Sequence, residues 1–343
     1  MDWTKGYSAR WRVYEVDTDT WADGAMVEGV SEVEVDRTGT GDAPLLESGK
    51  ITADNADGGE RYLRVVMDAE QAGARERVDI ATLLCASIAG TADYGAERVE
   101  LTGRSVLYPA SVRLLTAGTY APAGADGAQW CASMLRESVQ APVEVEGGFT
   151  LDTNVVFDIG TSYLECVWQV LDAGGYCLQI SGRGVVSVRP LPTDPVLMLD
   201  SAGASLLQPE IRYELDWSEV PNRYTAVDGA EVATVENDDP SSPVSTAARG
   251  YVHDVVDKSP TRVNGETLTA YAARKLEESS VVPDTRTYNR EFWPEVGPYD
   301  VVRGTLQSVE LDGVLRVEEQ TLKCGLGIVV TEKAKREVAL WQR

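Results

Sequence analysis

A single histidine, His253, stands in 343 residues. Any nucleophile–base relay would have to be built on it, because there is no second imidazole. Basic residues are few: 31 lysines and arginines face 55 aspartates and glutamates, for a formal net charge of -24. Such a chain repels phosphate and anionic lipid, which argues against a primary nucleic-acid binder or a polybasic membrane anchor. It also opposes self-association unless carboxylates are kept out of the contact surfaces. The five cysteines, Cys85, Cys131, Cys166, Cys177 and Cys324, are odd in number and lack CxxC spacing. They read as small buried apolar residues of a reducing compartment, with no disulfide framework or zinc site implied. No apolar run approaches the ~18 residues of a membrane span. Met1-Asp2-Trp3-Thr4-Lys5 lacks the apolar core of a signal peptide. The chain is expected to be made in the cytosol and to stay soluble, with no membrane insertion. Nucleophile elbow, Walker-type loop and dinucleotide fingerprint are all missing, so phosphate and cofactor chemistry have no support. No cofactor is expected.

What remains is the composition of an ordinary globular protein, 43 % hydrophobic and 25 % charged. At roughly 150 residues per domain the length suggests two or three domains. The first hundred residues read as short strands between glycine-bearing acidic turns. Trp11–Val16 is rich in β-formers, Val27 to Val35 alternates, and Asp36–Pro44 is a loop by composition. Arg61–Asp68 and Val78–Leu84 flank a hairpin with Gly73 near its tip, and Arg98–Arg104 continues the pattern. Close-spaced strands without a convincing helix predict an antiparallel barrel or sandwich over residues 1–106.

The middle, residues 107–206, reads as a small α+β domain. Asp126-Gly127-Ala128-Gln129 has the form of a capping box, and Trp130, Cys131, Met134, Leu135 and Val139 fall on one helical face behind it. A second helix begins at the capping box Ser162–Glu165 and buries Leu164, Val167, Trp168 and Leu171, with Gly174-Gly175 as its stop. Tyr176–Ile180 and Val185–Arg189 then form a hairpin across Ser181-Gly182-Arg183-Gly184. Pro190, Pro192 and Pro195 punctuate the end of the module.

Residues 207–343 return to strands, at Ile211–Leu215, Arg223–Val227, Val301–Glu318 and Thr321–Val330. The stretch Asn237–Pro243 is a polar loop. One helix is expected over 264–280, with Leu268, Tyr271, Ala272 and Leu276 inward. Internal similarity is confined to one short echo between Arg12–Asp17 and Arg212–Asp216.

Candidate chemistry is sparse. His253 lies between the polar loop and a helix, where an ordinary structural histidine is the better reading. Asp17-Thr18-Asp19-Thr20-Trp21-Ala22-Asp23-Gly24 begins like a calcium loop, but Trp21 stands where an oxygen ligand is required. Asn55-Ala56-Asp57-Gly58 has later ligands without the first. Both fit hairpin turns better. A carboxylate pair could hydrolyse a glycosidic bond, yet no acid is singled out by an aromatic-rich context. No catalytic, cofactor-binding or metal-binding residue is therefore assigned.

In the last third, Val220-Pro221-Asn222-Arg223-Tyr224-Thr225-Ala226-Val227-Asp228-Gly229 resembles the N-x-h-x-V-x-G strand of phage tail-hub proteins. Glu295-Val296-Gly297-Pro298-Tyr299-Asp300-Val301-Val302 is similar to the family's h-x-P-x-D-x-V step. The middle module, ending at Arg189-Pro190, resembles the hub module that precedes this region. Pro44–Ile51 resembles tail proteins of long-tailed phages and prophages. The chain ends at Arg343 without a recognisable peptidase or lysozyme-like extension.

The resemblance implies a mainly β protein with an α+β middle: two tail-tube-like antiparallel β-barrel domains plus a small α+β domain. It implies a structural virion protein located in the tail tip or baseplate and made in the host cytoplasm. It is not expected to be an enzyme. As a homotrimer it would join a six-fold tail tube, or distal tail protein, to a three-fold tip spike or fibre protein. The tape-measure protein would be a further partner, and DNA would meet it only in transit through the lumen. Acidic side chains lining that lumen would repel DNA evenly. Two other functions stay open: a receptor- or carbohydrate-binding tail-tip module, favoured by clustered exposed Trp and Tyr in one groove, and a carboxylate-pair glycoside hydrolase.

Overall fold

Runs of β-branched and aromatic residues between glycine-bearing turns become strands when each has a partner to pair with. The computed structural model describes residues 1–3, 5–54, 59–93, 96–200, 211–215, 217–306, 311–325 and 328–339. Its secondary structure is 51 % strand and 15 % helix, so the protein is mainly β. The first third supplies β1 (Ser8–Val16), β2 (Asp23–Val27), β3 (Val30–Thr38), β4 (Leu46–Asp54), β5 (Arg61–Gln71), β6 (Ala74–Asp93) and β7 (Ala96–Ser105). They lie in the order β2-β1-β5-β6-β7-β4-β3, all antiparallel. The hairpin expected around Gly73 closes through Ala72-Gly73, at φ 49° and 83°. This is the left-handed pair that a two-residue hairpin loop requires.

Two expectations shift here. The alternating run Val27 to Val35 is broken at Gly29 (φ 70°), so it is the end of one strand and the start of the next. Asp36, Arg37 and Thr38 belong to β3, paired with Ser48, Glu47 and Leu46, and the loop starts only at Gly39. Pairing on both sides, with β4 and with a strand from the far end of the chain, outweighs their turn-like composition.

The middle holds α1 (Tyr108–Val112), β8 (Thr119–Ala121), α2 (Gly127–Ser138), β9 (Val143–Val145), β10 (Val155–Phe157), α3 (Tyr163–Gly174), β11 (Tyr176–Ile180) and β12 (Val186–Pro190). The Asp126 carboxylate caps α2 by accepting from the Ala128 and Gln129 amides, while the Gln129 side chain lies exposed. At α3 both halves of the Ser162–Glu165 box are made, and Gly175 (φ 68°) ends the helix in the left-handed region. Cys131, Leu135, Leu164, Val167 and Leu171 are fully buried between the two helices and β11–β12. Trp130, expected inward, is half-exposed and stacks on Phe157 at 5.4 Å. Phe149 fills the space where side chains at Gly127 and Gly174 would otherwise stand.

The last third does not form one sheet of its own. β13 (Pro195–Asp200) runs parallel to β19 (Val301–Leu306), although it precedes it by a hundred residues. With β14 (Arg212–Leu215), β18 (Val281–Glu291), β20 (Leu311–Cys324) and β21 (Ile328–Ala339) these strands continue the first sheet. The joint is β20 on β3, from Glu319 opposite Thr38 to Cys324 opposite Val33. The result is a 13-stranded ladder that does not close on itself among the described residues. Two separate cores lie against it: one of Val13, Val35, Ile51, Leu63 and Met67 that also takes in Leu322 and Val330 from β20 and β21, and one of Leu199, Tyr288, Val302 and Leu315. The strand expected at Arg223–Val227 forms, and it lies in a small independent sheet. There β15 (Arg223–Asp228) pairs with β16 (Glu231–Glu236) and β17 (Asp254–Asp257). The short α4 (Thr246–Arg249) precedes β17, and α5 (Leu268–Ser279) covers β15 and β16 with Leu268, Tyr271, Ala272 and Leu276 inward. Hydrophobic alternation predicts a strand but carries no information on which sheet it joins.

Contacts at one turn fasten the middle module to the large sheet. The β11–β12 turn, Ser181 to Gly184, is pressed onto β5 and β6. Thr82 Oγ1 donates to the Gly182 carbonyl at 2.9 Å. Trp21 Nε1 and Arg64 Nη2 both donate to the Arg183 carbonyl, at 2.7 and 3.0 Å. A methyl group at Gly182 would overlap the Asp79 carbonyl, so only glycine lets the backbones approach.

Candidate functional site

The residues singled out for chemistry take up structural roles. His253 works through its backbone: its N–H donates to Asn222 Oδ1 at 2.8 Å, and its carbonyl accepts from the Asn222 and Arg223 amides. Asn222 itself is fully buried and donates to the Val244 and Tyr251 carbonyls. The asparagine of the tail-hub-like motif is thus the post on which the 237–253 loop is tied. In the calcium-like loop, Asp17 Oδ1 accepts from Thr20 N, Thr20 Oγ1 and Asp19 N, and Trp21 is buried at φ 57°. The carboxylate serves its own turn. The second loop, Asn55 to Gly58, lies outside the described residues, as does Asp216 of the short internal echo. Among the described residues no three His, Cys, Asp or Glu side chains gather as a metal site would need. All five cysteines are buried and unpaired, and burial raises the thiol pKa of each.

Aromatic residues do meet in one groove of about 900 Å³, between the loop after β3 and α3. Trp168, Tyr176 and Tyr299 line it beside Asp42, Glu165 and Asp172. The rings are parts of its wall, however. Trp168 is 8 % exposed and donates through Nε1 to the Pro44 carbonyl, and Tyr299 Oη donates to the Gly39 carbonyl. Flat stacking on a sugar needs a free ring face, which Trp168 does not offer.

A second cavity, of about 260 Å³, sits at the seam of all three thirds of the chain. β3 and β4 bring Arg37 and Glu47, the β11–β12 hairpin brings Gln179, and the connection before β19 brings Asp300. Arg37 Nε meets Glu47 Oε1 at 3.1 Å, and Arg37 Nη2 donates to the Ile80 carbonyl at 2.5 Å. Glu47 Oε2 is buried and has no hydrogen-bond partner. Burial outweighs the Arg37 contact and pushes the Glu47 carboxyl up to about 7. Asp300 accepts from Gly297 N and Gln179 Nε2, both at 2.9 Å, and burial raises its pKa as well. Each acid follows a bulky residue in the left-handed region, Leu46 at φ 69° and Tyr299 at φ 71°. Such backbone is disfavoured outside glycine and persists only where surrounding contacts hold it. Sequence inspection passes over this site, because Glu47 and Asp300 are 253 positions apart and look like any two of 55 acids. The local signals are the Pro298-Tyr299-Asp300 step of the tail-hub-like pattern and the tail-protein-like run Pro44–Ile51, which contains Glu47.

No protein-family model matches the chain, and no curated protein matches it in sequence. Solved structures do match, end to end. A tail protein from Neisseria meningitidis MC58 superimposes with a TM-score of 0.69 at 14 % identity, covering 97 % of each chain. The 43 kDa tail protein of prophage MuSo2 from Shewanella oneidensis gives 0.62 at 11 % identity, covering 94 % of this chain and 97 % of that one. Prophage tail protein gp18 from Listeria monocytogenes EGD-e gives 0.57 at 10 % identity, covering 95 % and 94 %. The chain therefore has the fold of these phage and prophage tail proteins along nearly its whole length.

Proposed function

We propose that this protein is a structural component of a phage or prophage tail, a hub rather than an enzyme. The observation that carries the proposal is the end-to-end structural match to phage and prophage tail proteins. Fold alone does not assign function. The calcium-like loop adds no chemistry to this reading, since the Asp17 carboxylate accepts from its own turn.

In this proposal three copies form a ring, and each half of the ladder acts as one tube-like barrel unit. Six similar units then face a six-fold tube, while the three-fold side receives the spike or fibre. Acidic side chains facing the lumen keep DNA from adhering in transit. Electron microscopy of the purified protein, with solution mass measured on the same sample, tests this directly. The expected result is a three-fold ring with an open centre and three times the chain mass of 37.2 kDa. A protein that stays monomeric at assembly concentrations and in the presence of its tail partners refutes it.

A further inference from the structure

The seam cavity holds two buried carboxylates and one lining guanidinium, Arg37, while Arg189 acts on Asp300 from outside the lining and bonds Gln179 Oε1. Arg37 gives Nε to Glu47 Oε1 and Nη2 to the Ile80 carbonyl, which leaves Glu47 Oε2 unpartnered in a residue only 3 % exposed. A buried carboxylate oxygen without a donor is among the most costly groups a protein can hold. One water does not account for the space. The cavity is about 260 Å³, against the roughly 10–15 Å³ that a single water occupies by the same kind of measure. Its walls are mixed: Leu178, Ile180 and Val296 supply an apolar strip beside the acids, and Gln179, Ser181 and Ser187 add polar groups. A hard metal ion would want six or more oxygens, and no acidic cluster of that size occurs among the described residues. An apolar strip ending at carboxylates suits a different guest, a short alkyl stem carrying a charged donor head.

We propose that this cavity binds a single organic cation, an ammonium or guanidinium on an aliphatic stem, with its head between Glu47 and Asp300. The cation gives Glu47 Oε2 its missing donor. The stem lies along Leu178, Ile180 and Val296. Because Gln179 and Asp300 come from different thirds of the chain and are joined by a 2.9 Å hydrogen bond, the guest also braces the middle module against both half-sheets. Two sources carry this chemistry: a free alkylamine, or the lysine or arginine side chain of a partner protein. Neither depends on the ring proposed above, so the site stands or falls by itself.

The test is calorimetric titration of the intact chain with n-butylammonium chloride and with N-acetyl-lysine methylamide. Controls are n-butanol, which has the stem without the charge, and MgCl2 or KCl at matched ionic strength. Saturable binding of butylammonium is expected, with no binding of butanol. Glu47→Gln and Asp300→Asn, once shown by circular dichroism to be folded, should each weaken it by at least about tenfold, the usual loss when a charge-assisted hydrogen bond is removed. Binding of butylammonium alone assigns the site to a free amine, and equal or tighter binding of the lysine analogue assigns it to a partner's side chain. Absence of binding by both cations overturns the proposal. So does equal binding of butanol or Mg2+, or unchanged affinity in the two folded variants. If neither variant folds, the butylammonium–butanol comparison on the natural chain decides alone.

Discussion

Replacing Gly182 by alanine should undock the middle module. The added methyl overlaps the Asp79 carbonyl, a backbone atom that cannot swing aside, so the Ser181–Gly184 turn must retreat from β5 and β6. Three donors then lose their acceptors: Thr82 Oγ1, Trp21 Nε1 and Arg64 Nη2. The two neutral bonds are each worth about 1 kcal/mol, and the bond from the guanidinium about 1.5–3 kcal/mol. Arg64 is fully buried, so water cannot readily replace what it loses, although Asp23 still neutralises it. Together the loss comes to about 3.5–5 kcal/mol. Urea unfolding followed by tryptophan emission reads this directly, since Trp21 sits at the contact and should shift to the red at a lower urea concentration. Gly118→Ala is the matched control, because nothing lies within 4 Å of the methyl it adds. A G182A variant that unfolds at the same midpoint as G118A would refute the claim that this turn is the fastening.

Three other outcomes follow from buried polar groups and a cap. Glu332, fully buried, accepts from Arg290, Tyr288 and Gln320. Glu332→Leu leaves Arg290 charged and unpaired at 1 % exposure and should cost about 3–5 kcal/mol in denaturant unfolding; a loss below about 1 kcal/mol contradicts the ascribed role. Ser162→Ala removes half of the α3 capping box and should lower stability by about 1 kcal/mol, with no change meaning that packing alone holds the helix start. Glu47 sets a pH dependence: its carboxyl titrates near 4.5 unfolded and about 7 folded, so the folded state holds the extra proton between those values. Stability should therefore fall as pH rises through that window, by about 3 kcal/mol in total from this group. Urea midpoints measured from pH 4.5 to 8 should show this fall and Glu47→Gln should flatten it; the same slope in both proteins excludes Glu47 as the cause.

Local elements were legible in the sequence because local chemistry decides them. The Ser162–Glu165 box, the left-handed stop at Gly175 and the Ala72-Gly73 turn each depend on residues within a few positions of one another. Burial of Leu164, Val167, Trp168 and Leu171 followed from helical spacing, and that of α5 likewise. Trp130 shows the limit. Its spacing fits the α2 core face, but the ring is stacked on Phe157 at the edge of the module, and spacing does not say where a core ends.

Which strand pairs with which was decided only in three dimensions. β3 meets β20 across nearly three hundred residues and β13 meets β19 across a hundred, and neither pairing leaves a mark in the pattern of either strand. Strand alternation specifies a buried face but not a neighbour, so reading Arg223–Val227 as a strand left its sheet undetermined. The same holds for the seam. Glu47 and Asp300 are ordinary acids in the sequence, and they become a site only when β4, the middle hairpin and the Pro294–Asp300 connection enclose one space. Gly182 looked like a turn glycine and is one, but its closest requirement is tertiary: the Asp79 carbonyl leaves no room for a side chain. Composition and local spacing thus determined the β-rich character, the helices and the turns, while strand partnership, the fastening of the middle module and the buried carboxylate pair depended on contacts between distant parts of the chain.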